Sequence, residues 1–292
     1  MEQLMQWVAN GLMVGGIYAL LATSIVLIYK STQVFNFATG EFVLLGGYFL
    51  LSLMSLGNMP IWTDVVLALI MAGVVGLLIY QAVLKPLIGQ SVLTMFMATM
   101  ALSVLVRGLM LYIWGPIGTS FPAAIIPGGT LTFIGISVSR QLLLGLVISL
   151  VFFGIFTLFY YRTNFGLMMR AAAEDHQLVQ TTGVKIGQIF SAAWGISLII
   201  IAVSGILLGD RLGLTPGVTQ GIALKVFPAV LFGGLESIAG AMVGGILVGV
   251  IESLAGGLIS PKVAEITPYI ILLLVLLFRP EGLFGLKRIE RI

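Results

Sequence analysis

The sequence contains no cysteine and a single histidine, His176. The lack of cysteine excludes disulfides, thiolate metal sites and cysteine nucleophiles, and one histidine cannot form a histidine metal cluster. Charge is also scarce, since 14 basic and 11 acidic residues make up 9% of the 292 residues. Soluble globular domains carry roughly 25% charged residues. The composition therefore excludes a soluble enzyme, a nucleic-acid-binding protein and a disordered protein.

Hydrophobic residues dominate the composition. They make up 59% of the chain, and the mean hydropathy is +1.16. Since a helix needs about 20 apolar residues to cross a bilayer, the charge-free intervals predict an all-α polytopic membrane protein with eight spans. These lie near residues 7–29, 37–56, 61–84, 91–114, 139–161, 188–209, 237–258 and 265–279. A shorter apolar piece near 220–235 is either a ninth crossing or a re-entrant half-helix.

The two ends of the chain fit one membrane domain over residues 1–292. The N-terminus, Met1-Glu2-Gln3, lacks the basic segment that opens a signal peptide, so its apolar stretch is expected to remain as a span. Basic residues concentrate in the 162–187 loop and in the tail from Arg279. Such residues favour the cytoplasm.

Placing both basic segments inside requires an even number of crossings between them. This parity favours nine crossings with an external N-terminus, and it places the uncharged 115–138 loop outside. Nine of the 14 basic residues then lie inside, and Arg107 lies in or near the membrane. The four basic residues outside are Arg140, Arg211, Lys225 and Lys262.

Residues for chemistry are missing from the sequence. It has no G-x-x-x-x-G-K-[ST] motif for nucleotide binding. Its three aspartates, Asp64, Asp175 and Asp210, fall at loops or span edges, where they cannot form the intramembrane pair of an aspartyl protease. We therefore expect no catalytic, cofactor-binding or metal-binding residues, no cofactor and no enzymatic activity. Transport is the function that remains.

Polar side chains within the spans are candidates for a transport pathway. Asn36, Thr39 and Glu41 stand at the start of the second span, and an ionisable residue at membrane depth predicts a functional site. The alternative for Glu41 is a carboxylate stabilised by the helix macrodipole at the cytoplasmic edge. A second group of hydroxyls either lines the same pathway or bonds to backbone carbonyls. It consists of Thr94, Thr99 and Ser103.

The sequence leaves the roles of three further charged residues undecided. Glu252 lies well within a span with no evident partner in the sequence, and Glu236 precedes the same span. Arg107 either pairs with one of the carboxylates or extends to the interface. Glycines four residues apart, such as Gly240 with Gly244 and Gly245 with Gly249, predict close helix packing.

The 162–187 loop contains a predicted short helix over residues 167–180, rich in alanine, leucine and methionine, with Gly183 as its stop. Its helical spacing puts Leu167, Arg170, Ala171, Glu174, Leu178 and Thr181 on one face. Arg170 and Glu174 can brace each other or a partner, and Leu178 supplies an apolar anchor. A short helix of this kind, without a domain of its own, is typical of a docking element.

Several stretches resemble the LivH-type permeases of the branched-chain amino acid ABC importer family. The family pattern V-x-N-F-A-H-G-E is matched at 34–41 except that Thr39 replaces the histidine. The pattern E-A-A-x-x-x-G is matched at 177–183 by its glycine alone. The remaining similar stretches are Gly15–Ala22, Phe165–Asp175, Ala229–Gly234 and Leu277–Gly285.

The resemblance implies a permease subunit of an ATP-driven importer in a bacterial inner membrane. It implies a second homologous permease, two cytoplasmic ATPases and an external solute-binding protein as partners, besides membrane lipid. Arg170, Glu174, Leu178 and Gly183 would then couple the chain to an ATPase. Branched-chain or other hydrophobic amino acids are the expected solutes, with urea, short amides or aromatic acids as alternatives. A self-sufficient secondary transporter or channel is the competing class.

Overall fold

A computed structural model describes residues 2–57, 59–87, 89–133, 136–174, 179 and 185–285. This part of the chain is almost entirely helical, which confirms the all-α membrane fold. Its α-helices are α1 (Glu2–Thr32), α2 (Thr39–Leu56), α3 (Ile61–Ile79), α4 (Val92–Trp114), α5 (Arg140–Arg162), α6 (Asn164–Glu174), α7 (Ile186–Leu212), α8 (Val218–Gly233), α9 (Ile238–Leu258) and α10 (Pro261–Phe278). A π-helical turn, Tyr80–Leu84, and a 3-10 turn, Lys85–Leu87, follow α3.

Eight of the described helices are long and apolar enough to cross a bilayer. They are the eight spans predicted from the charge-free intervals, and most of their ends differ from the prediction by a few residues. The largest difference is in α1, which runs from Glu2 to Thr32 where residues 7–29 were predicted. The charged residues near its two ends, Glu2 and Lys30, continue the helix beyond the apolar stretch. Helix α8 is the short apolar piece near 220–235.

The chain divides into two compact units. The first contains α1 up to Val26, the segment leading into α5, α5 up to Val151, α8 from Leu224, α9 and α10. The second contains the end of α1, helices α2 to α4, the end of α5, α6, α7 and the start of α8. The expectation of one domain over 1–292 stays a prediction.

In the first unit, α1 packs on α9 through glycines. A Cβ atom at Gly249 would clash with the backbone of Gly15, and one at Gly245 would clash with the backbone of Ala19. The earlier residue of α1 contacts the later residue of α9, and the later residue of α1 contacts the earlier one, so the two helices are antiparallel. Backbones approach this closely only where side chains are small, and van der Waals contact then holds the helices together in lipid.

The opposite face of α9 packs on α8 in the same way. A Cβ atom at Gly244 would clash with the Ala229 carbonyl, and Gly240 lies directly against Gly233. These two helices are also antiparallel, joined by the short turn 234–237. The predicted glycine pairs of α9 therefore serve two faces, one for α1 and one for α8.

The antiparallel pairing of α1 and α9 bears on the number of crossings when each long apolar helix is counted as one crossing. With α1 as the first crossing, helices α2 to α5 and α7 are the second to the sixth. Helix α9 would be the seventh if α8 did not cross, and an odd-numbered crossing runs parallel to α1. Since α9 is antiparallel to α1, this count makes α8 a seventh crossing and α10 a ninth. The structure thus supports the nine crossings that the charge distribution favours.

A small hairpin leads into α5 and was not predicted from the sequence. Strands β1 (Thr130–Phe133) and β2 (Ile136–Ser139) pair antiparallel. The Ser137 amide donates a hydrogen bond to Gln6 Oε1 at 2.9 Å, and further along Gly16 packs on Leu146. Helices α1 and α5 therefore run parallel, as the first and fifth crossings must.

In the second unit, α7 is the most buried helix and packs on α2 and α3. Gly76 of α3 lies against the backbone of Trp194, and the Tyr80 and Phe190 rings meet edge to face at 6.3 Å. Helix α3 thus runs antiparallel to α7. Beyond the end of α7, Leu214 exchanges backbone hydrogen bonds of 2.7 and 3.1 Å with Thr119, which follows α4.

Candidate functional site

The candidate pathway residues lie in the second unit, where α2 runs alongside α4. The Phe37 and Phe96 rings meet at 4.7 Å, and near the other end Tyr48 stacks on Trp114 at 4.8 Å. The two helices are therefore parallel. This register brings Glu41, in the first turn of α2, to the level of Arg107.

Glu41 and Arg107 line one small cavity of about 10 Å³, which is about the space one water molecule needs. Arg107 stands seven residues, or about 10 Å, before the end of α4 and fifteen residues, or about 22 Å, after its start. Glu41 is only 3% exposed. Arg107 thus lies within the apolar length of α4, whereas Glu41 lies in the first turn of α2, and the choice between a pathway residue and a carboxylate stabilised by the helix dipole stays a prediction.

The chain between α7 and α8 completes the cavity. Leu214 packs against Gly47 of α2, and Pro216 and Gly217 line the cavity beside Glu41. The non-helical segment 213–217 therefore descends along α2 into the span before α8 begins. Interrupted helices at this depth are typical of transporter binding sites, and the positive end of a helix dipole favours anions there.

Asn36 and Thr39 shape the turn that starts α2. The Asn36 Oδ1 atom accepts a hydrogen bond from the Ala38 amide at 3.1 Å, and the Thr39 hydroxyl donates to the Asn36 carbonyl at 2.7 Å. Both side chains are fully buried. Asn36 Nδ2 has no hydrogen-bond partner in the described part of the chain. These contacts fix the direction in which α2 presents Glu41.

The hydroxyls of α4 have local partners. Thr99 Oγ1 lies within hydrogen-bond distance of the Phe35 and Phe96 carbonyls, at 3.1 and 3.0 Å. Thr94 lies 2.9 Å from the Ser91 hydroxyl, which caps the helix. Ser103 is buried at 9% exposure. Bonding to the backbone is the alternative that the sequence left open for Thr99, and a pathway role for these three residues stays a prediction.

Helix α6 folds back sharply on the end of α5. The Gly166 amide donates to the Thr163 hydroxyl at 3.0 Å, and a side chain at Gly166 would clash with the Tyr160 carbonyl. Arg170 donates to the same carbonyl and lies over the Tyr160 and Tyr161 rings, at 5.5 and 5.3 Å. These contacts attach α6 firmly to α5.

The outer face of α6 is available for contact. Leu167 is 57% exposed, and Ala171 and Glu174 are exposed on the same stripe. The helix begins at Asn164, three residues before the predicted start, because Thr163 caps it. Arg170 turns towards α5, so its partner among the described residues is Tyr160 rather than Glu174. Leu178 and Gly183 lie outside the described residues.

Glu252 has the partner that the sequence did not reveal. Lys225 Nζ of α8 lies 2.6 Å from Glu252 Oε1 of α9, and the two side chains are 20% and 14% exposed. The residues are 27 positions apart, and the antiparallel register of α8 and α9 brings them together. Lys225 thus belongs to a pair inside the first unit, and Glu236 lies in the turn between the two helices.

Comparisons with known proteins give matches that cover nearly the whole chain. The family model described as "Branched-chain amino acid transport system / permease component" matches residues 7–276. The chain is 31% identical to the high-affinity branched-chain amino acid transport system permease protein BraD of Pseudomonas aeruginosa, covering 99% of this chain and 98% of BraD. It is 26% identical to the permease protein LivH of Escherichia coli, covering 99% and 97%.

A solved structure of PsaBC from Streptococcus pneumoniae in complex with Fab is similar at a TM-score of 0.49 and 12% identity, covering 96% of this chain and 93% of that one. The match to the family model spans α2 to α9 completely and most of α1 and α10. The chain is a multi-pass membrane protein, and it belongs to the family of permease components of branched-chain amino acid transport systems.

Proposed function

We propose that this chain is one of two homologous permease subunits of an ATP-binding-cassette importer for branched-chain or other hydrophobic amino acids in a bacterial inner membrane. The relatives BraD and LivH are named as permeases of high-affinity branched-chain amino acid transport. An external binding protein delivers the solute, and two cytoplasmic ATPases drive its passage. The chain itself contributes the membrane path and hydrolyses nothing.

The observation that carries this proposal is helix α6. The sequence has no nucleotide-binding motif, so the ATPase motion must arrive through a contact. Helix α6 presents Leu167, Ala171 and Glu174 outward while its inner face is fixed to α5. A movement of an ATPase bound to the outer face of α6 would be transmitted to α5 through the Arg170–Tyr160 contact. It would also be transmitted to α7, which α6 contacts.

The path through this subunit runs beside the start of α2. Asn36 and Thr39 hold the turn, and Glu41 faces the cavity that it shares with Arg107. Thr99 and Ser103 are buried on the α4 side. Thr94 lies in the first turn of α4, next to the Ser91 cap.

The test is transport by the assembled importer. The permease pair, the ATPases and the binding protein encoded together are reconstituted in proteoliposomes, and uptake of labelled leucine is followed. We expect uptake that needs both ATP and the binding protein, with competition from isoleucine and valine. Competition by urea, acetamide or benzoate instead would support the alternative solutes. Uptake driven by an ion gradient without ATP would establish a secondary transporter.

A further inference from the structure

We propose that the segment after α10 holds Arg279 at the mouth of an apolar groove that binds one anionic phospholipid of the cytoplasmic leaflet. Arg279 binds the phosphate of the lipid, and the groove takes part of an acyl chain. The stretch Leu277–Gly285, one of those that resemble the permease family, forms this mouth. Such a site needs the membrane fold and no particular transported solute.

The groove lies within the first unit, between α8, α9 and α10, and has a volume of about 280 Å³. Small-molecule pockets begin at roughly 300 Å³. From Arg279 the groove runs along α10 to Ile271, eight residues or about 12 Å into the span. Its apolar walls include Phe232, Ile251, Leu274 and Phe278. A hydrocarbon chain is the occupant that these walls favour in a membrane.

The backbone after α10 fixes the mouth of the groove. Arg279 caps the end of α10, and the Gly282 amide donates a hydrogen bond to the Arg279 carbonyl at 2.8 Å. The Leu283 amide then donates to the Phe232 carbonyl of α8 at 2.8 Å. Gly282 has a φ of 78°, and a Cβ atom there would clash with the Leu231 carbonyl. The Arg279 backbone is therefore held at the end of the groove.

The charges at this end favour an anionic headgroup. Among the described residues that line the groove, Arg279 alone is charged, and its exposed side chain forms no ion pair with another described residue. A guanidinium binds phosphate through two parallel hydrogen bonds. The positive-inside bias places this end of α10 in the cytoplasm, where basic residues attract anionic lipids. From Arg279 onward the sequence has four basic and two acidic residues, so the basic residues outweigh the exposed Glu281.

Lipid binding to the assembled importer tests the site. The importer is purified in detergent and titrated with dioleoylphosphatidylglycerol or dioleoylphosphatidylcholine, and bound lipid is counted by native mass spectrometry. Wild type should bind one phosphatidylglycerol in preference to phosphatidylcholine. Arg279→Gln should weaken phosphatidylglycerol binding about tenfold, as expected when a hydrogen bond to a charged group is lost, and affect the net neutral phosphatidylcholine less. The matched control is Lys85→Gln, an exposed basic residue after α3, which should change neither.

Two changes at Leu274, which is 47% exposed, test the groove itself. Leu274→Trp fills the groove and should weaken binding of both lipids several-fold while the importer folds normally. A photoreactive phenylalanine analogue in place of Leu274 should form an adduct with phospholipid in the membrane. Equal phosphatidylglycerol binding by wild type and Arg279→Gln, or by wild type and Leu274→Trp, overturns the site. An adduct with the second permease in place of lipid overturns it too, because the groove is then a subunit contact.

Discussion

At the scale of single residues, the charged side chains within the apolar spans differ in their surroundings. Lys225 and Glu252 meet at 2.6 Å across two helices packed through glycine. Glu41 and Arg107 face a cavity beside a helix break. The Lys225–Glu252 pair therefore serves the packing of α8 on α9, whereas the cavity beside Glu41 and Arg107 has the space of about one water molecule.

The Lys225–Glu252 pair gives a prediction about stability. Glu252→Gln leaves the Lys225 ammonium within the span without its carboxylate, and this should cost about 1–3 kcal/mol, reduced from a fully buried pair by partial exposure. The measurement is thermal unfolding of the purified importer in detergent. The control is Glu252→Gln with Lys225→Gln, which should restore most of the loss, with normal uptake per folded importer. An unchanged melting temperature for Glu252→Gln would show that the pair contributes nothing.

At the scale of elements, α6 combines a fixed inner face with an exposed outer one. Thr163 caps it, Gly166 allows its close approach to α5, and Arg170 ties it to Tyr160. Leu167 is 57% exposed in the described part of the chain, and contact with another protein would remove its apolar surface from water. The arrangement fits a helix whose outer contacts are made with another protein.

Introducing a charge into that outer face should break the contact. Leu167→Asp should permit folding and membrane insertion, because the side chain is exposed, but it should reduce uptake at least roughly tenfold and weaken retention of the ATPases, as a charge is costly in a desolvated contact. The matched control is Leu167→Met, which keeps the apolar surface. The sequence predicts that Leu178→Asp permits folding and insertion but abolishes uptake and weakens retention of the ATPases, with a smaller effect for His176→Asp. Full transport and ATPase retention by Leu167→Asp would exclude α6 as the coupling element.

At the scale of the whole molecule, charge and helix direction give the same topology. The positive-inside bias favours nine crossings with an external N-terminus. The antiparallel contacts of α9 with α1 and with α8 agree with a crossing by α8 when each long apolar helix is counted as one crossing. Helix α8 is about 24 Å long, and the segment 213–217 supplies the rest of the crossing.

The topology is directly measurable because the chain lacks cysteine. Asn164, at the start of α6, and Ser120, after α4, are both exposed. Single cysteines at these positions should react with a membrane-impermeant maleimide from opposite sides, Ser120→Cys in intact cells and Asn164→Cys in inverted vesicles. A cysteine at Gln3 should label with Ser120→Cys. Labelling of Asn164→Cys and Ser120→Cys from one side would overturn the assignment.

The sequence predicted the spans well because their physical cause is local. Charge-free intervals locate each span, and the glycine pairs of α9 indicate its close packing on other helices. The cavity that Glu41 shares with Arg107 could not be predicted, since it depends on how α2 and α4 align and the two residues are 66 positions apart. The Lys225–Glu252 pair depends in the same way on the register of α8 against α9. Thr163 is a favourable cap residue and could have indicated the start of α6 at Asn164. The prediction relied on the alanine-rich stretch and therefore began the helix three residues later.

The glycine contact between α1 and α9 also has a consequence in time. Its two halves, Gly15 and Gly249, lie about 230 residues apart in the sequence. At the pace of protein synthesis, α1 enters the bilayer roughly 10 to 50 s before α9 emerges from the ribosome. During that interval the bare glycine face of α1 has only lipid, or a helper protein, to cover it. The earliest segment made must therefore wait for one of the last, and a chain truncated before α9 should leave α1 open to mispairing and degradation.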